Sequence, residues 1–220
     1  MRTIRVTGLG KLKLRPDTTR LTVTLTGRDK DYNEVLRLSA EETRKLKDLL
    51  AGHGFAPEDV KTLRFRIETE SEGYRDRHGD YRTRFAGYLY RHAVQLDFPV
   101  DNLRLGAILR ALTTSELDPE FSVDYVLADP DGARDRLMAV TMEDARHKAE
   151  VLARSGGSAL GSVRYIDYCR GAYDFSFRPC CEYDAEELCA VPEESKVSPM
   201  PIEPDDIEVS DTVTVIWELE

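Results

Sequence analysis

Several stretches of the chain alternate apolar and polar residues, the pattern of a strand with one buried face. In TRLTVTLTG, Leu21, Val23 and Leu25 share one face and threonines occupy the other. The stretch IEVSDTVTVIWELE alternates in the same way and predicts a closing strand that adds to a sheet. Near the start, RTIRVTGLGKLKL predicts an irregular or paired strand, in which Gly8 and Gly10 indicate a bulge or bend.

A long hairpin is predicted in the first half of the chain. VKTLRFRIETE places Leu63, Phe65 and Ile67 on one face. Its partner, YRTRFAGYLYRHAVQLDF, has one face made of Tyr88, Tyr90, His92, Val94, Leu96 and Phe98. The charged stretch between them, YRDRHGDYR, predicts a turn near Gly79 that projects into water. EFSVDYVLAD and SVRYIDY predict two further strands.

Two helices are indicated by apolar residues at helical spacing. Asp31 is the predicted N-cap of the first, and Gly52 and Gly54 are its stop signal. The predicted stripe of this helix is Tyr32, Val35, Leu36, Ser39, Thr43, Leu46 and Leu50. Asp101 is the predicted N-cap of the second, whose stripe is Leu105, Ile108, Leu109 and Leu112.

The longest helix is predicted to begin after Asp129, which caps it, with Pro130 in the first turn. Its predicted buried side is Ala133, Leu137, Val140, Ala145, Ala149 and Leu152. Asp144 and Lys148 form an i,i+4 ion pair on another side. Small alanines at 145, 149 and 153 allow the helix to lie close to a sheet.

The stretch ARSGGSALGS at the end of that helix resembles a catalytic loop only in composition. A phosphate-binding P-loop and a nucleophile elbow both follow a strand and precede a helix, and here the order is reversed. No lysine follows Gly161, as a P-loop requires. We therefore expect Gly156 and Gly157 to end the helix with left-handed backbone.

The order strand, helix, strand, strand, helix, strand in the middle of the chain predicts a ferredoxin-like α+β fold. In this βαββαβ arrangement two helices cover one face of an antiparallel sheet. A third long helix and extra strands at both ends enlarge the core. We expect one domain over residues 1–220, with residues 171–206 as an acidic loop or insertion containing Cys and Pro.

The 220 residues carry a formal charge of −10, and the segment from Gly171 to Asp206 accounts for −8 of it. We do not expect nucleic acid as a partner, because phosphate binding requires a stripe of basic residues and the sequence shows none. The longest apolar runs are too short to cross a bilayer. The start, MRTIRVTGLG, has no apolar signal region, so a cytoplasmic location is expected.

Four cysteines fall within 21 residues: Cys169, Cys180, Cys181 and Cys189. Structural zinc sites usually show C-x(2–4)-C pairs, and adjacent cysteines rarely bind one ion together. Reduced thiols are the default in a cytosolic chain. A redox-sensitive pair stays open as an alternative, although the surrounding acids would raise the thiol pKa.

The four histidines, His53, His78, His92 and His147, are scattered and form no metal-binding pair. His92 shares a strand face with Tyr88 and Tyr90, which allows a pocket, but packing or a satisfied hydrogen bond is the favoured interpretation. Among the 41 carboxylates, EPDDIE could hold a hard cation, but its spacing does not match an EF-hand. No cofactor or catalytic residue is predicted.

Five stretches resemble the SIMPL domain family, long described as a domain of unknown function. VTGLGKLKLRPDTTRLTVTLTG is similar to the family's opening, with Gly8, Gly10, Pro16 and Asp17 at matching places. GHGFAPEDVKTLRFRI matches through Thr62, and FAGYLYRHAVQLDF through Gly87 and Tyr88. DARHKAEVLARSGGSALGSV resembles the most recognisable segment, with Asp144, Ala145, Lys148, Ala149, Gly156 and Gly157.

The fifth stretch, PIEPDDIEVSDTVTVIWEL, is similar to the family's closing strand. One departure is Pro204-Asp205, where the family usually has Pro-Gly, so the turn there is expected to differ. The stretch with the cysteines matches no family motif. The resemblance implies no shared catalytic residues. It implies stress-related roles and large oligomers in bacterial members, many of which are exported, and an adaptor role in an animal member.

The sequence therefore predicts a non-enzymatic scaffold or binding protein that self-associates as a homo-oligomer and binds a protein partner. The predicted hairpin and the terminal strands offer sheet edges for strand addition. Two alternatives remain. One is a metal-dependent or small-molecule enzyme that uses Tyr88, Tyr90, His92 and the Cys169–Cys189 segment; the other is a redox sensor built on that segment.

Overall fold

The computed structural model describes residues 2–75, 80–168, 176–177 and 203–220. Along the chain the elements are β1 (Arg2–Leu14), β2 (Thr18–Asp29), α1 (Tyr32–Gly52), β3 (Lys61–Arg75), β4 (Tyr81–Pro99), α2 (Asn102–Thr113), β5 (Glu120–Val126), α3 (Pro130–Ser155), β6 (Leu160–Asp167), β7 (Ser176–Phe177) and β8 (Ile207–Leu219). They fall into two compact units. Residues 18–125 belong to one, and residues 2–17, 126–168 and 204–220 belong to the other.

The first unit has the ferredoxin-like arrangement that the sequence predicts. Its long strands lie in the order β3-β4-β2-β5, and the sheet is antiparallel. β2 pairs with β4 from Thr18 opposite Pro99 to Asp29 opposite Tyr88. Alternation places Leu21, Val23 and Leu25 on the buried face. Helices α1 and α2 cover that face, and their buried residues are Val35, Leu46, Leu50, Leu105, Ile108, Leu109 and Leu112.

All three predicted helix starts are confirmed. The Asp31 carboxylate accepts the backbone N–H groups of Asn33 and Glu34, and the Asp101 carboxylate accepts those of Leu103 and Arg104. Asp129 accepts from Gly132 at 2.8 Å, with Pro130 in the first turn of α3. In each case the side chain satisfies backbone donors that have no partner within the helix.

The second unit is a sheet of order β1-β8-β6 with α3 against one face. The expected bulge in β1 is wrong, because β1 and β8 pair without a register shift from Arg2 opposite Leu219 to Leu14 opposite Ile207. There is another structural reason for glycine at these two positions of β1. A Cβ on Gly8 would lie 2.3 Å from the Thr141 carbonyl oxygen, and one on Gly10 would lie 2.1 Å from the Thr141 hydroxyl oxygen. The glycines therefore let α3 approach the sheet backbone.

The buried stripe of α3 differs from the prediction at two positions. Val140 and Leu152 are exposed, and Thr141 and Ala153 are buried instead. The observed stripe is Ala133, Leu137, Thr141, Ala145, Ala149 and Ala153. Small residues dominate because the helix lies too close to β1 for larger ones.

Two helix details also differ. On α1, Tyr32 and Leu36 are exposed, although the apolar stripe placed them inside. At the end of α3 only Gly157 has left-handed backbone, with φ of 73°, whereas Gly156 has φ of −82°. One left-handed residue is enough to end the helix, because Ser158 N–H then bonds the Ala153 carbonyl at 3.0 Å. Within the described residues, none of the helices is long and apolar enough to cross a membrane.

Candidate functional site: a polar cluster and an open sheet edge

Tyr90 on β4 is fully buried beneath α1. Its hydroxyl donates a hydrogen bond to the Glu42 carboxylate of α1. On the neighbouring strand β2, Gly27 lies opposite, and a Cβ there would lie 2.5 Å from Cε1 of Tyr90. Burial, and then the bond to the Glu42 carboxylate, raise the pKa of Tyr90 well above its usual range. The phenol is therefore held in its neutral, donating form.

His92 lies two residues further along the same face and is 8% exposed. Its Nδ1 is 2.9 Å from Oγ1 of Thr43 on α1, and its Nε2 is 3.0 Å from Oγ1 of Thr62 on β3. The single Thr43 hydroxyl proton goes to the Ser39 carbonyl, so Thr43 accepts from Nδ1–H. Nε2 then accepts the Thr62 hydroxyl proton. Both ring nitrogens of a neutral imidazole are thus used.

Charge on His92 is opposed by its surroundings. Burial lowers the pKa of His92, and the positive charge of Lys47 lowers it further. The ring also meets Phe65 edge to face, with centroids 5.3 Å apart. The cluster of Tyr90, His92, Glu42, Thr43 and Thr62, here called the polar cluster, joins α1, β3 and β4. We interpret it as a structural connection, as the sequence favoured for His92.

We expect acid to destabilise the protein through His92. In the unfolded chain His92 protonates near pH 6.5, but in the folded chain its pKa is lower. The unfolded state therefore binds more protons below about pH 6.5. The free energy of unfolding should fall from pH 7 towards pH 5, by at most about 1.4 kcal/mol per pH unit from this group. Above pH 7 the group adds no pH dependence.

Urea unfolding at pH 5, 6, 7 and 8 measures this dependence. The matched control is His92→Gln, which keeps hydrogen-bonding groups but does not titrate. The variant should lose less stability than the wild type between pH 7 and pH 5. Equal losses in the two proteins would contradict the assignment.

Tyr88, the third residue of the predicted aromatic face, packs differently from Tyr90. Its ring lies against Tyr32, with centroids 5.4 Å apart, and against Phe85, with centroids 5.2 Å apart. A cleft of about 680 Å³ opens nearby, lined by Arg28, Asp29, Lys30, Glu70, Glu72, Arg84, Phe85, Ala86 and Gly87. Neither Tyr90 nor His92 lines that cleft, so the structure does not bring it together with the polar cluster.

The four cysteines that the sequence offered only as weak candidates for a metal site, Cys169, Cys180, Cys181 and Cys189, lie outside the described residues. So do His78 and most of the acidic segment 171–206. Within the part of the chain that the structure describes, no group of three or more His, Cys, Asp or Glu side chains is placed to hold a metal ion.

Several residues that carry the SIMPL resemblance hold the backbone together. Pro16 is buried, and the Asp17 carboxylate accepts the Ala128 N–H at 2.7 Å. The Asp17 N–H donates to the Val126 carbonyl at 3.3 Å. A Cβ on Gly87 would lie 2.7 Å from the Asp29 carbonyl oxygen, so this glycine permits a close approach of two strands.

The predicted Asp144–Lys148 pair is confirmed at 2.6 Å, and it has a function that the sequence did not indicate. The Asp144 carboxylate also accepts the Leu9 N–H of β1 at 2.7 Å. The Lys148 hydrogen bond, and then the Leu9 N–H, lower the pKa of Asp144. The side chain thereby occupies a backbone donor of β1, an outer strand of its sheet, and this protects that edge from strand addition.

Strand β3 is also an outer strand, but among the described residues no side chain bonds to its backbone as Asp144 bonds to that of β1. Its side chains are largely exposed, including Leu63 at 55% and Phe65 at 46%. Pairing with β4 is irregular at Leu63 and again after Glu70, and it is regular between. We call residues 64–70 the β3 edge. It is the longest regular stretch of this outer strand.

The charges of the β3 edge are ordered along the strand. Arg64 and Arg66 come first, and Glu68 and Glu70 follow, all at alternate positions and hence on one face of the sheet. Arg66 and Glu68 form an ion pair of 2.8 Å. On β4, Arg91 lies directly opposite Arg66, which places two like charges side by side.

Comparison with known proteins identifies the family. No curated protein matches the chain. The family model of SIMPL, described as a protein of unknown function (DUF541), matches residues 4–217. This range contains the β3 edge, the polar cluster and all five stretches that carry the sequence resemblance. The chain therefore belongs to the SIMPL family.

Proposed function

We propose that this protein is a non-enzymatic scaffold that self-associates by strand addition. The observation that carries the proposal is the β3 edge, an exposed segment of an outer strand in which the apolar residue Phe65 is 46% exposed. An exposed strand presents unpaired backbone donors and acceptors, and a second strand satisfies them while it covers apolar side chains.

The contrast between the two sheets supports this proposal. The outer strand β1 has its Leu9 N–H occupied by the Asp144 side chain. The described part of β3 shows no comparable side-chain bond to its backbone, and it carries arginine and glutamate rather than a covering element. Charged side chains along an edge oppose the addition of a strand with unmatched charges, so we infer that the β3 edge accepts only a strand whose charges are complementary.

The polar cluster supports a structural rather than a catalytic interpretation of the aromatic face. A general base needs a free lone pair near a substrate, and both nitrogens of His92 are bonded to threonine hydroxyls. Tyr90 donates a hydrogen bond to Glu42 and has a raised pKa, so its hydroxyl keeps its proton at neutral pH and is a poor nucleophile.

Sedimentation velocity of the purified protein from about 1 to 100 µM tests the proposal. We expect the weight-average sedimentation coefficient to rise with concentration. The same series with reductant and chelator tests the alternative based on Cys169, Cys180, Cys181 and Cys189, because association through β3 should not respond to either additive. A strict monomer throughout, with no protein partner recovered by pull-down, would overturn the proposal.

A further inference from the structure

We propose a specific register for this association, an inference that rests on the proposed function. Two copies join their β3 edges antiparallel, about a twofold axis that passes through Ile67. The two sheets then form one continuous sheet with the order β5-β2-β4-β3 in one copy and β3-β4-β2-β5 in the other. The occupant of the edge is therefore a second copy of this chain.

The pattern of the β3 edge dictates this choice of partner. Directly opposite residues of an antiparallel pair lie on the same face of the sheet. With the axis at Ile67, Arg66 lies opposite the partner's Glu68, and Arg64 lies opposite the partner's Glu70. Symmetry repeats both pairs, so four opposite-charge pairs form and no like charges meet. A strand that runs from basic to acidic is complementary to its own reversed copy.

Neighbouring registers keep some opposite-charge pairs, but each places two like charges directly opposite each other at its centre. An axis through Arg66 places that arginine against itself, and an axis through Glu68 places that glutamate against itself. Like charges directly opposite each other across strands are destabilising. Axes between residues would pair positions from opposite faces and are excluded by the alternation of side chains. Charge and alternation together therefore favour Ile67 as the centre.

The single copy also gains from the pairing. In the single copy, Arg66 lies opposite the like charge of Arg91 on β4 and forms an ion pair with Glu68 of its own strand. The partner's Glu68 would add an opposite charge on the open side. On the other face, Phe65 meets the partner's Thr69, and Ile67 meets the partner's Ile67, so apolar surface is covered.

The test uses two charge-reversal variants of the full chain. In Arg64→Glu/Arg66→Glu the β3 edge is entirely acidic, and in Glu68→Arg/Glu70→Arg it is entirely basic. Each variant alone should associate at least about tenfold more weakly than wild type, because all four pairs become repulsive. An equimolar mixture should recover association at the wild-type level as a mixed dimer, since all four pairs are again attractive.

Two controls keep the result interpretable. Arg44→Glu/Arg136→Glu changes the net charge as much as Arg64→Glu/Arg66→Glu does, but at exposed helical positions, and should associate as wild type does. Circular dichroism should show that each variant is folded. The register has a second readout: Ile67→Cys, in a background with the four native cysteines changed to serine, should form a disulfide-linked dimer, because the two Cα atoms face each other at the axis.

The outcomes separate the two proposals. If the wild type does not associate at any concentration, self-association itself fails. If the wild type associates, but both reversal variants associate equally well or the mixture shows no recovery, then only the register fails. Recovery in the mixture together with crosslinking at position 67 supports it.

Discussion

Gly8→Ala is expected to destabilise the protein by about 3 kcal/mol, since an added methyl has no space. Its carbon would lie 2.3 Å from the carbonyl oxygen of Thr141 and 2.7 Å from Cβ of Ala145. The first obstacle is helix backbone, which cannot rotate away as a side chain does. Helix α3 would have to lift from β1. Urea unfolding at pH 7, followed by circular dichroism, measures the loss.

The control for this prediction is Gly52→Ala at the end of α1, where nothing lies within 4 Å of an added Cβ. It should be neutral or stabilise by up to about 1 kcal/mol, because alanine favours helix. A second comparison concerns Gly10→Ala, whose nearest obstacle is the Thr141 hydroxyl. Thr141→Ala should partly rescue Gly10→Ala but not Gly8→Ala. Equal rescue of both would show that the helix backbone is not the obstacle.

Tyr90→Phe is expected to lower the free energy of unfolding by about 2 kcal/mol, the range for a lost hydrogen bond to a charged group. The substitution keeps the fully buried ring and removes only the hydroxyl that donates to Glu42. Tyr90→Ala should cost more, about 3–5 kcal/mol, because it also leaves a cavity in the core.

Tyr88→Phe provides the matched control, since Tyr88 lies on the same strand face but contacts its neighbours through its ring. We expect it to change stability by less than about 0.5 kcal/mol. A double-mutant cycle that combines Tyr90→Phe with Glu42→Gln should give a non-zero coupling energy, because the two side chains are in contact. Additive effects would mean that the two side chains do not stabilise each other.

Features that depend on short stretches of sequence were predictable. The caps Asp31, Asp101 and Asp129 act on backbone groups within three residues, and Asp144 and Lys148 lie one helical turn apart. The ferredoxin-like order follows from the sequence of periodic segments. The strand face shared by Tyr88, Tyr90 and His92 follows from alternation alone.

Features that depend on contacts between distant residues could not be predicted from the sequence. The bulge expected at Gly8 and Gly10 rested on what glycine usually does within a strand. Here glycine is needed for another reason, because α3, some 130 residues later in the chain, lies close to the backbone of β1. The same approach favoured Thr141 over Val140 on the buried side of α3. Tertiary packing decides which distant residues contact each other, and such contacts leave no periodic signal along the chain.

The polar cluster illustrates the same limit within the candidate site. Alternation placed His92 and Tyr90 together, but the partners Glu42, Thr43 and Thr62 come from another helix and another strand. Only the folded arrangement of these residues brings a hydrogen-bond partner to both nitrogens of the imidazole. The charge order of the β3 edge, by contrast, is visible in the sequence, but it acquires meaning only once β3 is known to be an outer strand.

The central position of β8 between β1 and β6 has a consequence for biosynthesis. The strand that joins the three-stranded sheet follows all the other described strands along the chain and so leaves the ribosome after them, whereas β2 to β5 form one uninterrupted stretch. The ferredoxin-like unit can therefore fold while translation continues, and β1 must wait without its hydrogen-bonding partner. In nascent chains arrested before β8, the first unit should therefore resist protease, whereas β1 should be cleaved.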